Sequence, residues 1–212
     1  SGVATVGLSS SAALGDTEFS SLQNLVDAEM RSGNGDLTVT YVSTVIAGTT
    51  DTQNLTVSGL TGGAFTAAGV ETVNITSETI KSTLATLTTA AATSLTITGD
   101  KQLTITAALN ATNTALKTID ATGATGGVVL LDNSSTVSFT GGAGDDTYKT
   151  STAVAATYAV DGGAGTDTLS VTDSGVLDTA LETARYTNFE TLQINFATGV
   201  TGASSQDLDL LD

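Results

Sequence analysis

The sequence predicts an all-β protein: a parallel β-solenoid or β-roll-like array of short strands, with glycine turns and one short N-terminal capping helix. Apolar–polar–apolar units recur from Leu37 onward, as in Leu37-Thr-Val-Thr-Tyr41, Leu55-Thr-Val57, Val73-Asn-Ile75, Leu95-Thr-Ile97 and Leu103-Thr-Ile105. Each is short and followed by Gly, Asn, Asp or Ser, which signals brief strands with one buried face and tight turns. A pair of glycine-rich nonapeptides, Gly141-Gly-Ala-Gly-Asp-Asp-Thr-Tyr-Lys149 and Gly162-Gly-Ala-Gly-Thr-Asp-Thr-Leu-Ser170, adds the repeat signal of stacked turns.

Residues 16–31 depart from that alternation. Phe19, Leu22, Leu25, Val26 and Met30 recur at helical spacing, Ser20 and Gln23 stand at capping-box separation, and Gly33 sits where a helix would stop. The expectation is one amphipathic helix covering an end of the β core, and almost nothing helical over 37–175. Thr suits the strands because its branched side chain fits a pleated, half-buried surface. A longer echo joins Thr50-Asp-Thr-Gln-Asn-Leu-Thr-Val-Ser-Gly59 to Thr166-Asp-Thr-Leu-Ser-Val-Thr-Asp173, and Val70-Glu-Thr-Val-Asn-Ile75 to Phe189-Glu-Thr-Leu-Gln-Ile194. The offsets, 116 from Asp51 to Asp167 and 119 from Glu71 to Glu190, suggest a module of that length recurring in a longitudinal array. The division that follows is 1–36, an N-terminal segment with the helix; 37–137, a Thr-rich β module; 138–175, the glycine turns; and 176–212, the start of a second β module. Ser1-Gly2 reads as an expression scar and Asp207-Leu-Asp-Leu-Leu-Asp212 lacks a stop signal, so the chain reads as a piece of something longer.

Composition narrows function. Six Lys and Arg face 22 Asp and Glu in 212 residues, a formal charge of −16 that repels nucleic acid and anionic membrane and attracts multivalent cations. Cys, His, Trp and Pro are absent, and Thr supplies 43 residues. Without Cys there is no disulfide framework, which is compatible with export as well as with the cell interior. No apolar run approaches the ~20 residues of a membrane-spanning helix. Lacking His and Cys, acid–base and nucleophilic chemistry narrows to carboxylates, Ser, Thr, Lys and Tyr, and no nucleophile-elbow, P-loop or dinucleotide fingerprint appears. The expectation is that the chain is not an enzyme.

The nonapeptides carry the chemistry. Both fit G-G-x-G-x-D-x-U-x, in which glycines at φ > 0 turn bare carbonyls inward, the Asp adds a hard anionic oxygen, and U (Tyr148 or Leu169) enters the core. A β-roll turn spans two nonapeptides, so a 21-residue interval from Gly141 to Gly162 is one turn with three residues inserted, and the loops should stack. An ion held between them would draw on Asp146 and Asp167, on the carbonyls of Gly142, Gly144, Gly163 and Gly165, and on Asp145 and Asp161; Asp173 is a further candidate. Oxygen-only ligands in a flexible loop suit Ca2+ better than Mg2+, which demands octahedral geometry and keeps its waters. A transition metal would want His or Cys.

The order of features resembles bacterial surface-layer proteins of the RTX, or calcium-turn, type. The residues that carry the likeness are Gly69-Val-Glu-Thr-Val-Asn-Ile75, Ala92-Thr-Ser-Leu-Thr-Ile-Thr-Gly-Asp100, Leu103-Thr-Ile-Thr106, Leu116-Lys-Thr-Ile-Asp-Ala121, Phe139-Thr-Gly-Gly-Ala-Gly144, the second glycine turn and Asn188-Phe-Glu-Thr-Leu192. The resemblance spans about residues 50–195 and implies type I export, an extracellular place on the bacterial surface, anchoring to lipopolysaccharide through another region, and a calcium-dependent two-dimensional lattice. Only two glycine turns occur, against the long runs of toxin-type rolls. Two alternatives stand beside the lattice: a calcium-dependent adhesin module, and the secretion-competent region of a type I exported enzyme.

Other motifs carry less. Sequons at Asn54, Asn74, Asn110 and Asn133 are expected by chance in so Thr-rich a chain. Thr38-Val-Thr40, Thr96-Ile-Thr98 and Thr104-Ile-Thr106 resemble the threonine rows of ice-binding solenoids, but their starts are 58 and 8 residues apart, not constant. Glu71 and Glu190 hold equivalent repeat positions, which favours a structural role such as capping a strand end or pairing with a Lys over catalysis.

Overall fold

The structure, a computed structural model, describes residues 2–11, 15–177 and 184–195. Its strands are β1 (Thr5–Ser11), β2 (Thr17–Leu22), β3 (Asp27–Gly33), β4 (Leu37–Tyr41), β5 (Thr52–Leu60), β6 (Ala64–Ala67), β7 (Thr72–Ser77), β8 (Ser82–Leu84), β9 (Thr86–Thr88), β10 (Ser94–Gly99) and β11 (Leu103–Ile105). After a single-turn helix, α1 (Leu109–Thr112), come β12 (Thr118–Ala124), β13 (Val128–Leu131), β14 (Ser138–Thr140), β15 (Thr147–Thr150), β16 (Val160–Asp161), β17 (Thr168–Val171), a 3-10 turn at Ser174–Val176, β18 (Tyr186–Thr187) and β19 (Thr191–Ile194). All named strand pairs are parallel.

The protein is therefore a β-solenoid. One long sheet, β1-β3-β5-β7-β10-β12-β14-β16-β18, receives a strand from every turn. The return strands divide between a four-stranded sheet, β2-β4-β6-β9, and a six-stranded one, β19-β17-β15-β13-β11-β8. The change-over falls at Ala85, between β8 and β9, whose N–H donates to the Gly63 carbonyl at 2.7 Å. The long sheet's hydrogen bonding runs without interruption past residues 36, 137 and 175. The terminal segment 196–212 and Ser1 lie outside the described residues.

Period-2 patterning builds the core. In β4, β7, β8 and β11 the burial alternates strictly, and stacking places like residues above one another. Val73, Leu95, Ile119, Phe139, Val160 and Tyr186 form one continuous inward column. Each such side chain, withdrawn from water, contributes about 1.5–3 kcal/mol. Gln53 tops the column, its amide donating to Val26 O at 2.9 Å and its carbonyl accepting from Tyr41 OH at 2.6 Å.

The N-terminal capping helix expected over 16–31 does not form: that span is β2, a bend and β3. Phe19, Leu22 and Leu25 did match a helix, but Val26, Ala28 and Met30 also alternate, and all three are buried. β1 and β5 flank β3 and satisfy its backbone on both sides, so ladder pairing overrides local spacing. Leu25 is left exposed at the bend.

Where β9 ends the four-stranded sheet, α1 and Asn113 replace the missing strand. Asn113 Oδ1 accepts from Thr89 N at 2.7 Å and its Nδ2 donates to Leu87 O at 2.9 Å, which imitates a neighbouring peptide group. The open strand edge is thereby closed. Among the described residues no helix is long and apolar enough to cross a membrane.

Candidate metal centre

The first glycine turn connects β14 to β15 and the second connects β16 to β17. Registers pair Phe139 with Val160 and Thr147 with Thr168, so the loops lie one above the other at a 21-residue interval, as the spacing implied. Backbone bonds zip them together: Gly141 N to Asp161 O (2.8 Å), Ala164 N to Gly142 O (2.8 Å) and Thr168 N to Asp146 O (2.8 Å). Tyr148 and Leu169 enter the core with no exposure.

Sequence identity hides two backbones. In the second turn Gly163 has φ +92° and Gly165 φ +145°, the freedom expected of glycine. In the first turn neither Gly142 nor Gly144 lies in the left-handed region. Gly142 is required for a different reason, because a Cβ there would meet the carbonyls of Ala124 and Ala121 in the turn below. The predicted use of positive φ thus holds for one loop, and close approach of backbone explains the other.

The carboxylates form a chain along this corner. Asp146, 1% exposed, accepts from Val128 N through Oδ1 (2.5 Å) and from Gly142 N through Oδ2 (2.7 Å). Asp167, fully buried, accepts from Asp146 N through Oδ1 at 2.7 Å. Glu190 accepts in turn from Asp167 N at 2.6 Å. Asp167 and Glu190 each reach back one turn to the amide of the acid before, and Asp146 reaches back to that of Val128. Burial pushes the Asp146 carboxyl up to about 6; the Gly142 and Val128 amides oppose this, and the charges of Asp167 and Asp145 add to it. Asp167 is raised too, by burial first, with Asp146 N opposing and Glu190, Asp145 and Asp161 reinforcing.

One atom is out of balance. Asp167 Oδ2 is buried and has no hydrogen-bond partner, a costly condition for a carboxylate oxygen. The two peripheral acids are engaged elsewhere: Asp145 Oδ1 accepts from Thr166 N (2.9 Å), and Asp161 Oδ1 from Gly163 N (3.0 Å) and Asn188 Nδ2 (2.6 Å). Asp173 caps the 3-10 turn by accepting from Gly175 N. All eight predicted residues therefore share one corner, but all four acids, Asp145, Asp146, Asp161 and Asp167, already accept from backbone amides. Among the described residues no group of three or more acids is arranged to hold a metal ion. As donors for a hard cation, the orphaned Asp167 oxygen and the loop carbonyls are chemically apt.

Glu190 is the contributor that motif matching missed, although its repeat position pointed to it. The long echo is this same device used twice. Asp51 N donates to Glu71 Oε2 at 2.9 Å, as Asp167 N does to Glu190, and among the described residues Asp51 Oδ2 is the other buried side-chain oxygen without a partner. Both Glu residues cap a neighbouring turn, and neither pairs with a Lys among the salt bridges of the described residues. The two copies sit on different sheets, β5–β7 against β17–β19, so the echo marks a recurrent turn rather than a superimposable module.

No family model matches this chain, and no curated protein or solved structure matches it either.

Proposed function

We propose that this chain is an extracellular, calcium-stabilised structural module that self-assembles into a bacterial surface-layer lattice. The observation that carries the reading is the buried, unpartnered Asp167 oxygen within stacked glycine turns of a chain with formal charge −16. Asp167 and Asp146, with the carbonyls of Gly142, Gly144, Gly163 and Gly165 and the nearby Asp145 and Asp161, would hold Ca2+. The ion would supply the positive charge that this corner lacks, and it would let acidic protomers meet without mutual repulsion. Type I export and attachment to a cell-surface polysaccharide through another region complete the proposal; an adhesin or an exported enzyme's secretion region remain the rivals.

Calcium titration followed by circular dichroism and thermal melting tests it. At 100-fold excess over its dissociation constant calcium would add about 2.7 kcal/mol, or on the order of 5–10 °C for a chain of this size. A melting temperature indifferent to both calcium and chelator removes the site. Ordered sheets in electron micrographs with calcium support the lattice, whereas monomers that capture a glycan favour the adhesin.

A further inference from the structure

The two buried side-chain oxygens without a partner among the described residues, Asp51 Oδ2 and Asp167 Oδ2, belong to aspartates held in the same way. Each Asp is the middle of a Thr-Asp-Thr step and stands immediately before a strand, β5 or β17. A Glu in the next turn, 20 or 23 residues on, accepts from its N–H at 2.9 or 2.6 Å. The Thr after that Glu donates back to its carbonyl, Thr72 N to Asp51 O at 3.0 Å and Thr191 N to Asp167 O at 2.9 Å. The backbone of the Asp is thus satisfied on both sides. Its carboxylate keeps one oxygen that is closed off from solvent and bonded to nothing in the chain, which is costly for an anion.

Only the Asp167 step belongs to a glycine nonapeptide. Asp51 follows Ile46-Ala-Gly-Thr-Thr50, which has a single glycine. That glycine faces the carboxylate: a Cβ on Gly48 would come within 3.2 Å of Asp51 Oδ2 and 3.3 Å of Oδ1, as one on Gly165 would come within 3.3 Å of Asp167 Oδ1. The absent side chain leaves a cradle beside the acid. Neither Asp51 nor Glu71 pairs with a Lys or Arg among the salt bridges of the described residues. Covalent geometry keeps an Asp carboxylate within about 4 Å of its own nitrogen. Glu71 Oε2, 2.9 Å from that nitrogen, is therefore within about 7 Å of the Asp51 carboxylate.

We propose that Asp51 and Glu71 form a second calcium site, outside the nonapeptides. One ion at the usual Ca–O separation of about 2.4 Å bridges the two carboxylates after a small turn of the Glu71 side chain. It lies in the space beside Gly48, and loop carbonyls and water complete its shell of oxygens. Asp51 and Glu71 are half-buried, whereas Asp167 is fully buried. Water competes more strongly for the ion here, so this site is the weaker one and fills at higher calcium. The two sites are five strand steps apart along the long sheet, roughly 24 Å, and fill independently. The inference shares the calcium chemistry of the proposed function but neither its site nor its assembly.

The test follows backbone amide NMR shifts of isotope-labelled protein during calcium titration in physiological salt. Wild type is compared with Asp51→Asn, Glu71→Gln and Asp167→Asn, and folding is checked by circular dichroism. Shifts at Asp51 and Glu71 should saturate with a dissociation constant on the order of 1 mM, the weak end for extracellular modules, and those at Asp167 and Glu190 at lower calcium. Asp51→Asn should abolish the first response and spare the second, and Asp167→Asn should do the opposite. Glu71→Gln keeps an acceptor for Asp51 N and should weaken the first response about tenfold through the lost ligand charge. A response at Asp51 and Glu71 with none at Asp167 would sustain this site and defeat the nonapeptide one. A response at Asp167 alone would overturn this site and leave the nonapeptide one standing. Shifts near Asp51 that survive both Asp51→Asn and Glu71→Gln, or that magnesium produces equally, mark diffuse attraction to a chain of charge −16 and overturn the proposal. Silence at both places in about 10 mM calcium, ten times the expected constant, removes both sites.

Discussion

Replacing Asp132 with Asn should stabilise the protein at neutral pH and do nothing in acid. Asp132 follows β13 and is fully buried, with Oδ2 accepting from Tyr148 OH at 3.3 Å and Oδ1 from Ser134 N at 3.3 Å. Burial raises its carboxyl from 3.8 to about 6, against the opposing pull of its bonds from Ser134, Tyr148 and Asn110. The folded chain thus binds this proton more tightly than the unfolded chain does. Below pH 3.8 the group is protonated in both states and costs nothing; as pH rises through about 6 the folded state must carry a buried charge, and stability falls. A shift of about two units at about 1.4 kcal/mol each sets a ceiling of about 3 kcal/mol. Asn keeps an acceptor for Ser134 N and can take the Tyr148 hydroxyl on its amide, so the variant should gain about 1–3 kcal/mol above pH 6.5. Urea midpoints measured in chelator from pH 4 to 8 read this directly. The wild-type and variant curves should converge near pH 4. A constant offset at every pH, or a variant weaker at pH 7.5, would refute the reasoning.

Three other perturbations probe separate links. Asp167→Asn should have opposite effects with and without calcium: without the ion it removes a buried charge and raises the melting temperature, and with the ion it abolishes the calcium-dependent gain. Gly163→Ala forces an L side chain into φ +92° with its Cβ 2.5 Å from the Gly142 carbonyl; it should cost about 2 kcal/mol or more in a urea titration, with no compensation by calcium. Asn113→Ala leaves Thr89 N unpaired at the end of the four-stranded sheet and leaves Leu87 O with the Thr112 hydroxyl as its remaining donor; it should cost about 1–3 kcal/mol, with hydrogen-exchange protection lost at Thr89 while Leu95 in the long sheet keeps its own.

Alternation made most of the fold legible. Val73-Asn-Ile75 and Leu95-Thr-Ile97 read as strands because inward and outward faces differ in chemistry at every second residue, and the structure keeps that face assignment. Residues 16–31 misled because Phe19 and Leu22 belong to one strand and Ala28 and Met30 to the next, with Val26 just before it, and the bend between them imitates a helical interval. The stacking of the glycine turns was legible from one interval of 21 residues. What no local pattern could convey was which atoms of Asp146 and Asp167 the backbone would already occupy, since Val128 lies 18 residues away and belongs to no motif. The outward column of Thr52, Thr72, Ser94, Thr118 and Ser138 on the long sheet was hidden for a related reason. Sequence spacing records loop length, whereas alignment on a face is set by hydrogen-bond register.

The same register creates the electrostatic problem that the corner must solve. A residue type repeated in step along a solenoid is stacked on its own kind, which suits β-branched Thr on a pleated surface but sets carboxylate near carboxylate. Like charges about 4.8 Å apart cost on the order of 1–3 kcal/mol per pair between watery and protein-like surroundings. Asp146, Asp167 and Glu190 offset part of this by each taking a backbone amide from the turn before. Asp146 takes two, through Val128 N and Gly142 N, and its carboxyl is nonetheless pushed up to about 6. Amides are partial charges and do not cancel whole ones. A proton or a cation does, and only the cation acts at neutral pH. On that ground the stability of this corner should follow divalent ion concentration more steeply than monovalent salt, since screening weakens repulsion between exposed charges far more than between buried ones. Equal stabilisation by calcium and by sodium at matched ionic strength would mean that the repulsion is a surface effect and that the buried Asp167 oxygen has no bearing on it.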